Sequence, residues 1–238
     1  MDQLKRLFVN GCSFLTHRHT HEANINFSTA ELIKEHGGFE EMVNFARGGR
    51  GNDRILSTTI TYFEKYPEYK RNTFVLIGWS SALRLDYPTA IEFKPLPPLD
   101  ECWATIKMAH NADHLNKSAG LKQPIDHHSW EVHRYYQNVI GLQNYLKINN
   151  IRFVMYNSLQ PALSYYKQDH QALGSAIDRK HFMDIEQCQN LFCQHKGLCI
   201  SAHDTHPNEQ GHKTWADKVK KFIDQNQLYI QQGPTNEI

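Results

Sequence analysis

Four short stretches of the chain carry residues whose types suit acyl transfer. Gly11-Cys12-Ser13 offers a hydroxyl on a tight turn, and Arg47-Gly48-Gly49-Arg50-Gly51-Asn52-Asp53 offers free backbone amides. Gly78-Trp79-Ser80-Ser81 adds polar groups, and His203-Asp204-Thr205-His206-Pro207-Asn208 sets imidazoles beside a carboxylate. A nucleophile, a base, an acid to orient the base and donors for an oxyanion are the parts such a reaction needs. They are useful only if the fold gathers them at one place.

The elements needed to do so are legible as five short apolar runs, at residues 6–10, 42–46, 73–78, 152–156 and, least clearly, 197–201. Each is rich in β-branched or aromatic residues and fits a strand buried on both faces. Helical patterns lie between them at 28–36, with Ser28 as N-cap, and at 53–66, 129–148, 161–170 and 208–226. Strands alternating with helices require right-handed crossovers, so the expected fold is an α/β, three-layer α/β/α sandwich around a five-stranded parallel sheet. In such a sheet ligands bind outside the carboxyl ends of the strands, which is where four of the five runs deliver the four stretches above. Pro88, Pro95, Pro97 and Pro98 exclude regular structure from 87–100. The stretch 87–126 therefore reads as an irregular insertion or lid on a single domain spanning 1–238, and the tail 231–238 as frayed.

The order of these stretches resembles the SGNH (GDSL-like) hydrolases, and is most similar to divergent members found in phage genomes. That family has a nucleophilic Ser in a G-D-S-like turn after the first strand, an oxyanion Gly after the second, an oxyanion Asn after the third and D-x-x-H-P near its end. The resemblance covers residues 7–219 and rests on layout alone between 79 and 201. It implies the sheet order 2-1-3-4-5, Ser13 as nucleophile, His206 as general base and Gly51 as oxyanion donor. Trp79 and Asn52 would then lie where they contact substrate, although Trp79 equally suits half-buried packing. Arg50 and Arg84 belong to the same edge and are read as rim residues.

Three positions depart from the family pattern. Cys12 stands in place of Asp, which costs little because that residue is not the nucleophile. Ser80 stands in place of the oxyanion Asn, leaving a shorter-reaching donor, and loss of one such donor costs about 10²–10³ in rate. His203 occupies the place of the orienting Asp, so Asp204, two residues before His206, must reach Nδ1 through a tightened turn. Pro207 favours that by restricting the residue before it. The expected activity is hydrolysis of a small ester, such as an acetylated glycan, by a Ser-His-Asp site without a cofactor. The alternative is a binding or assembly protein that keeps the fold with impaired catalysis, since fold alone does not fix function.

Composition narrows the partners. With 26 basic and 25 acidic residues the net charge of +1 advertises no nucleic acid, and no apolar run approaches the ~20 residues that cross a bilayer. The short apolar start is no signal peptide, so a cytoplasmic protein with free thiols among its five Cys is expected. Protonating all 15 His on top of +1 would give +16, so acid should be damaging. Cys188, Cys193, His195, Cys199, His203 and His206 are possible zinc ligands by type. Their spacing does not match the pairs of a structural site, and no metal is expected. Oligomeric state leaves no trace in the sequence.

Overall fold

In the computed structural model, residues 3–88, 103–107, 127–161 and 168–230 are described. Five parallel strands form the sheet: β1 (Arg6–Gly11), β2 (Glu41–Asn44), β3 (Thr73–Trp79), β4 (Arg152–Asn157) and β5 (Phe182–Cys188). Their spatial order is β2-β1-β3-β4-β5. Side chains on successive strand residues point to opposite faces, and here both faces are covered. Phe8, Val75, Ile77 and Phe153 face one apolar cluster, shared with α2 (Asn52–Lys65) and α3 (His127–Ile148). Leu7, Val9, Phe74, Leu76 and Val154 face a second, shared with α1 (Thr29–Gly37) and α6 (Glu209–Gln225). These are the three layers expected from the alternating pattern.

The shorter helices are α4 (Gln168–Ser175) and α5 (Gln189–His195). α4 overlaps only the end of the helix expected at 161–170, and residues 162–167 lie outside the described residues. The fifth strand was misplaced by the sequence pattern. Residues 197–201 form a loop whose Cys199 makes a single antiparallel bridge to Pro207. The true β5, FMDIEQC, is an edge strand with Asp184 and Glu186 turned to solvent, so it lacks the continuous apolar run of an inner strand.

An antiparallel ribbon, Arg84–Pro88 against Trp103–Lys107, replaces part of the irregular stretch expected at 87–126. Pro88 fits because it stands at the strand's end, opposite Trp103. Residues 89–102 and 108–126 lie outside the described residues, as does the tail 231–238. The ribbon is fastened to the sandwich by charge: Asp86 accepts from the Arg54 amide, its own amide donates to Asp53, and Asp53 pairs with Arg134 at 3.0 Å. Among the described residues no helix is long and apolar enough to cross a membrane.

α1 and α6 are pinned to each other by a buried imidazole. Ser28 and Glu31 form a capping box at the start of α1, and the amide of Thr29 donates to His212 Nδ1 on α6 at 3.2 Å. His212 is 2% exposed, and burial pushes its pKa down to about 4, with the nearby charges of His206 and His17 acting the same way and Glu31 opposing them. The unfolded chain therefore binds this proton more readily than the folded one, and stability falls as pH drops from about 6.5 to 4. Urea titrations at pH 7 and pH 4 should show a loss of about 3 kcal/mol that His212→Gln lacks. An equal acid loss in both proteins would show that other groups drive it.

Candidate active site

The site begins where β1 and β3 end side by side. Gly11 and Gly78 are register partners, and a Cβ on Gly11 would stand 2.7 Å from the Gly78 carbonyl oxygen. A Cβ on Gly78 would collide with Ser158 Oγ and crowd Leu15, so the two strands come closest here as glycines. Beyond Gly11 the buried Cys12 precedes a single 3-10 turn, Ser13–Leu15, held by Asn44 Nδ2 donating to the Leu15 carbonyl at 2.8 Å. Ser13 heads that turn. Its Oγ lies 2.7 Å from His206 Nε2, across 193 residues of sequence.

His206 comes from the loop that leads into α6, whose N-cap is Asn208. The Ile200 amide donates to the His206 carbonyl, and Asn208 donates to the carbonyls of Leu198 and Cys199. Within the loop, Ser201 Oγ accepts from the amides of His203 and Asp204, while the Ser201 amide donates to the Asp204 carbonyl. This tight turn brings Asp204 Oδ1 to 2.5 Å from His206 Nδ1 and 3.1 Å from the His206 amide. A carboxylate two residues before the imidazole thus reaches it, with no need of the spacing of three.

Arg18, which the sequence did not single out, holds the other carboxylate oxygen. Its Nε and Nη2 donate to Asp204 Oδ2 at 3.1 and 2.8 Å from a short ribbon, Arg18–His19 against Asn24–Ile25. Burial works against the Asp204 charge, yet the hydrogen bonds from Arg18 and His206 hold its pKa down to about 2. Burial lowers the pKa of His206, the bond to Asp204 opposes that, and the positive charges of Arg18 and Arg84 add to the lowering. The imidazole is therefore neutral at pH 7 and able to accept a proton. Phe14 stacks on it with ring centroids 4.8 Å apart, fixing the plane of the ring.

The opposite wall differs from what the motifs suggest. Gly48, not Gly51, lies beside Ser13: a Cβ on it would be 3.8 Å from the Ser13 Cβ. Gly51 is the N-cap of α2, packed so closely on the Arg84 carbonyl and Asp86 that a Cβ there would stand 2.8 Å from each. Its neighbour Asn52 is buried as a clamp, accepting from the Ser80 amide at 2.8 Å and donating to the Ser81 carbonyl at 3.2 Å, so it is no substrate contact. Trp79 belongs to the core as well. It is 0% exposed and packs edge-on against Tyr135, in line with Val75 and Ile77 on the same face of β3.

Ser80 is also 0% exposed, and its hydroxyl accepts from Arg84 Nη1 at 3.0 Å, so it does not open on the crevice. Arg50, read as a rim residue, is 2% exposed, donates to the Phe45 carbonyl and has its pKa lowered to about 9, chiefly by burial. Arg84 is half-buried, and its charge acts on His206.

A cavity of about 430 Å³ adjoins the imidazole, lined by Arg18, Thr20, His21, Glu22 and His203 together with the Asp204–His206 loop. The cysteines do not join it as ligands. Cys12, Cys188 and Cys193 are buried free thiols, and burial pushes Cys188 up to about 11 and Cys193 to about 12. Among the described residues no three His, Cys, Asp or Glu side chains converge as a metal site.

The comparisons with known proteins bear on fold and family. No curated protein matches. Among solved structures, the chain is similar to a psychrotrophic esterase from Pseudoalteromonas sp. solved with monoethylphosphonate as inhibitor. That likeness has TM-score 0.52 and 12% identity and covers 93% of this chain and 97% of that one. It is also similar to a member of the lipolytic G-D-S-L family from Veillonella parvula, with TM-score 0.50, 10% identity and coverage of 91% and 97%. At such identities the likeness is one of fold, and the fold is that of the SGNH hydrolases. A model of a family of unknown function, DUF6071, matches residues 18–237, most of the chain, so the chain belongs to that family.

Proposed function

We propose that the protein is a serine ester hydrolase. The observation that carries this reading is the unbroken line Ser13 Oγ, His206, Asp204, with contacts of 2.7 and 2.5 Å at the carboxyl edge of the sheet. Ser13 Oγ adds to an ester carbonyl carbon while His206 Nε2 takes its proton, and Asp204 stabilises the imidazolium. His206 returns the proton to the departing alcohol, leaving an acyl group on Ser13. Water then adds to that carbonyl with His206 again as base, and the carboxylic acid leaves as the proton returns to Ser13 Oγ.

The oxyanion formed in each half needs donors already aimed at it. Ser13 opens a helical turn, so its amide has no intrahelical acceptor, and Gly48 is exposed beside it. Neither amide has a hydrogen-bond partner among the described residues, which supports this pair as donors in place of Ser13 and Gly51. Arg18, Thr20, Glu22 and His203 on the neighbouring cavity carry hydrogen-bonding groups that suit a hydroxylated alcohol, such as an acetylated sugar.

A fluorophosphonate probe should label the wild-type protein and not Ser13→Ala, and the same substitution should abolish hydrolysis of p-nitrophenyl acetate. A wild-type protein that takes no label and turns over no ester would favour the binding-protein alternative.

Asp204→Asn preserves the turn but loses the charge and favours the wrong tautomer of His206, so kcat should fall about 10³–10⁴-fold. A loss below tenfold, about 1.4 kcal/mol of barrier, would mean that Asp204 orients nothing of consequence.

A further inference from the structure

The end of β3 holds a cation that the reading above leaves without a task. Arg84 Nη1 donates to Ser80 Oγ at 3.0 Å and to the Arg50 carbonyl at 3.1 Å, so it spans the gap between β3 and the loop that carries Gly48. Its Nε and Nη2 make no hydrogen bond among the described residues, and neither is buried. Nor does it have a carboxylate partner there, in contrast to Arg18 and Arg134, which pair with Asp204 and Asp53. Its charge acts on Cys12, the residue before Ser13, and on His206.

A purely structural role does not require this guanidinium. The ribbon that bears Arg84 is already fastened by the Asp86 contacts and by Arg134 donating to the Arg84 carbonyl at 2.8 Å. A cation held by one nitrogen on Ser80 and the Arg50 carbonyl, with its other N–H groups unburied and unpaired among the described residues, suits a negative charge that is absent in the resting site.

We propose that Arg84 is a catalytic residue, the charged donor to the oxyanion that forms when Ser13 adds to a carbonyl. The assignment rests on Ser13 being the nucleophile. It gives Ser80 its own part: the buried hydroxyl anchors Nη1 and so aims the remaining N–H groups. A charge-assisted bond is stronger than one from a neutral donor, and in a partly dry site it favours the tetrahedral species over the neutral ester.

The test uses p-nitrophenyl acetate, a neutral ester with no anionic group for Arg84 to bind. Arg84→Met should lower kcat about 10²–10³-fold with KM within about threefold. Arg84→Lys should recover at least tenfold of that loss while staying below wild type, because a point charge replaces a planar fork. A normal kcat in Arg84→Met, or a loss confined to KM, overturns the proposal while Ser13 labelling in the wild type leaves the hydrolase reading standing. A wild-type protein that the fluorophosphonate does not label overturns both. Thermal melts establish that the variants are folded. Should Arg84→Met fail to fold, Arg84→Lys and Ser80→Ala decide: reduced kcat with unchanged KM in both supports the assignment, and wild-type kcat in both overturns it.

Discussion

The Asp204 carboxylate is divided between two partners, and the geometry of the site depends on that division. Oδ2 is taken by Arg18 and Oδ1 by His206, so neither oxygen is free to rotate toward water. An isolated carboxylate at this depth would lose charge through desolvation, and a neutral acid would hold the imidazole weakly. Arg18 keeps the charge in place, and it does so from an element that also encloses the adjoining cavity. His206, Asp204 and one wall of the crevice are therefore one mechanical unit.

That unit is assembled on rigid parts. Ser13 sits on a turn fixed between Gly11, Gly78 and Asn44, and His206 sits on a loop stitched to Cys199 and capped into α6. Ser13 and His206 thus each project from the end of a regular element whose core face is fully covered, which limits their motion. The two halves meet at the hydrogen bond from Ser13 to His206, at Phe14 stacked on the same imidazole and at Arg18 on Asp204.

The sequence made much of this legible, in proportion to how local each signal was. β1, β3 and β4 announced themselves because an inner parallel strand is apolar on both faces, and β5 did not because its outer face carries Asp184 and Glu186. Ser13, Asp204 and His206 lie in short motifs at strand and helix ends, where position follows from the fold. Three glycines in four residues marked a tight loop without telling which of them lay beside Ser13, since that depends on how α2 docks on Asp86. Trp79 could have been placed by alternation from Val75 and Ile77, which puts it inward. Arg18 left no local trace, because its partner is 186 residues away.

The charges around the crevice also explain why the altered motif positions need not disable it. Burial does most to disfavour protonation of His206 in the resting protein, and the charges of Arg18 and Arg84 add to it against the pull of Asp204. An imidazole held neutral is ready to act as base, but the imidazolium it becomes is then less welcome, and a cationic site would slow the reaction if nothing else changed. During attack on a carbonyl, however, a negative oxygen appears at the same moment as the imidazolium. The field that opposes the second charge stabilises the first, and a positive crevice becomes favourable only for a reaction that creates both together.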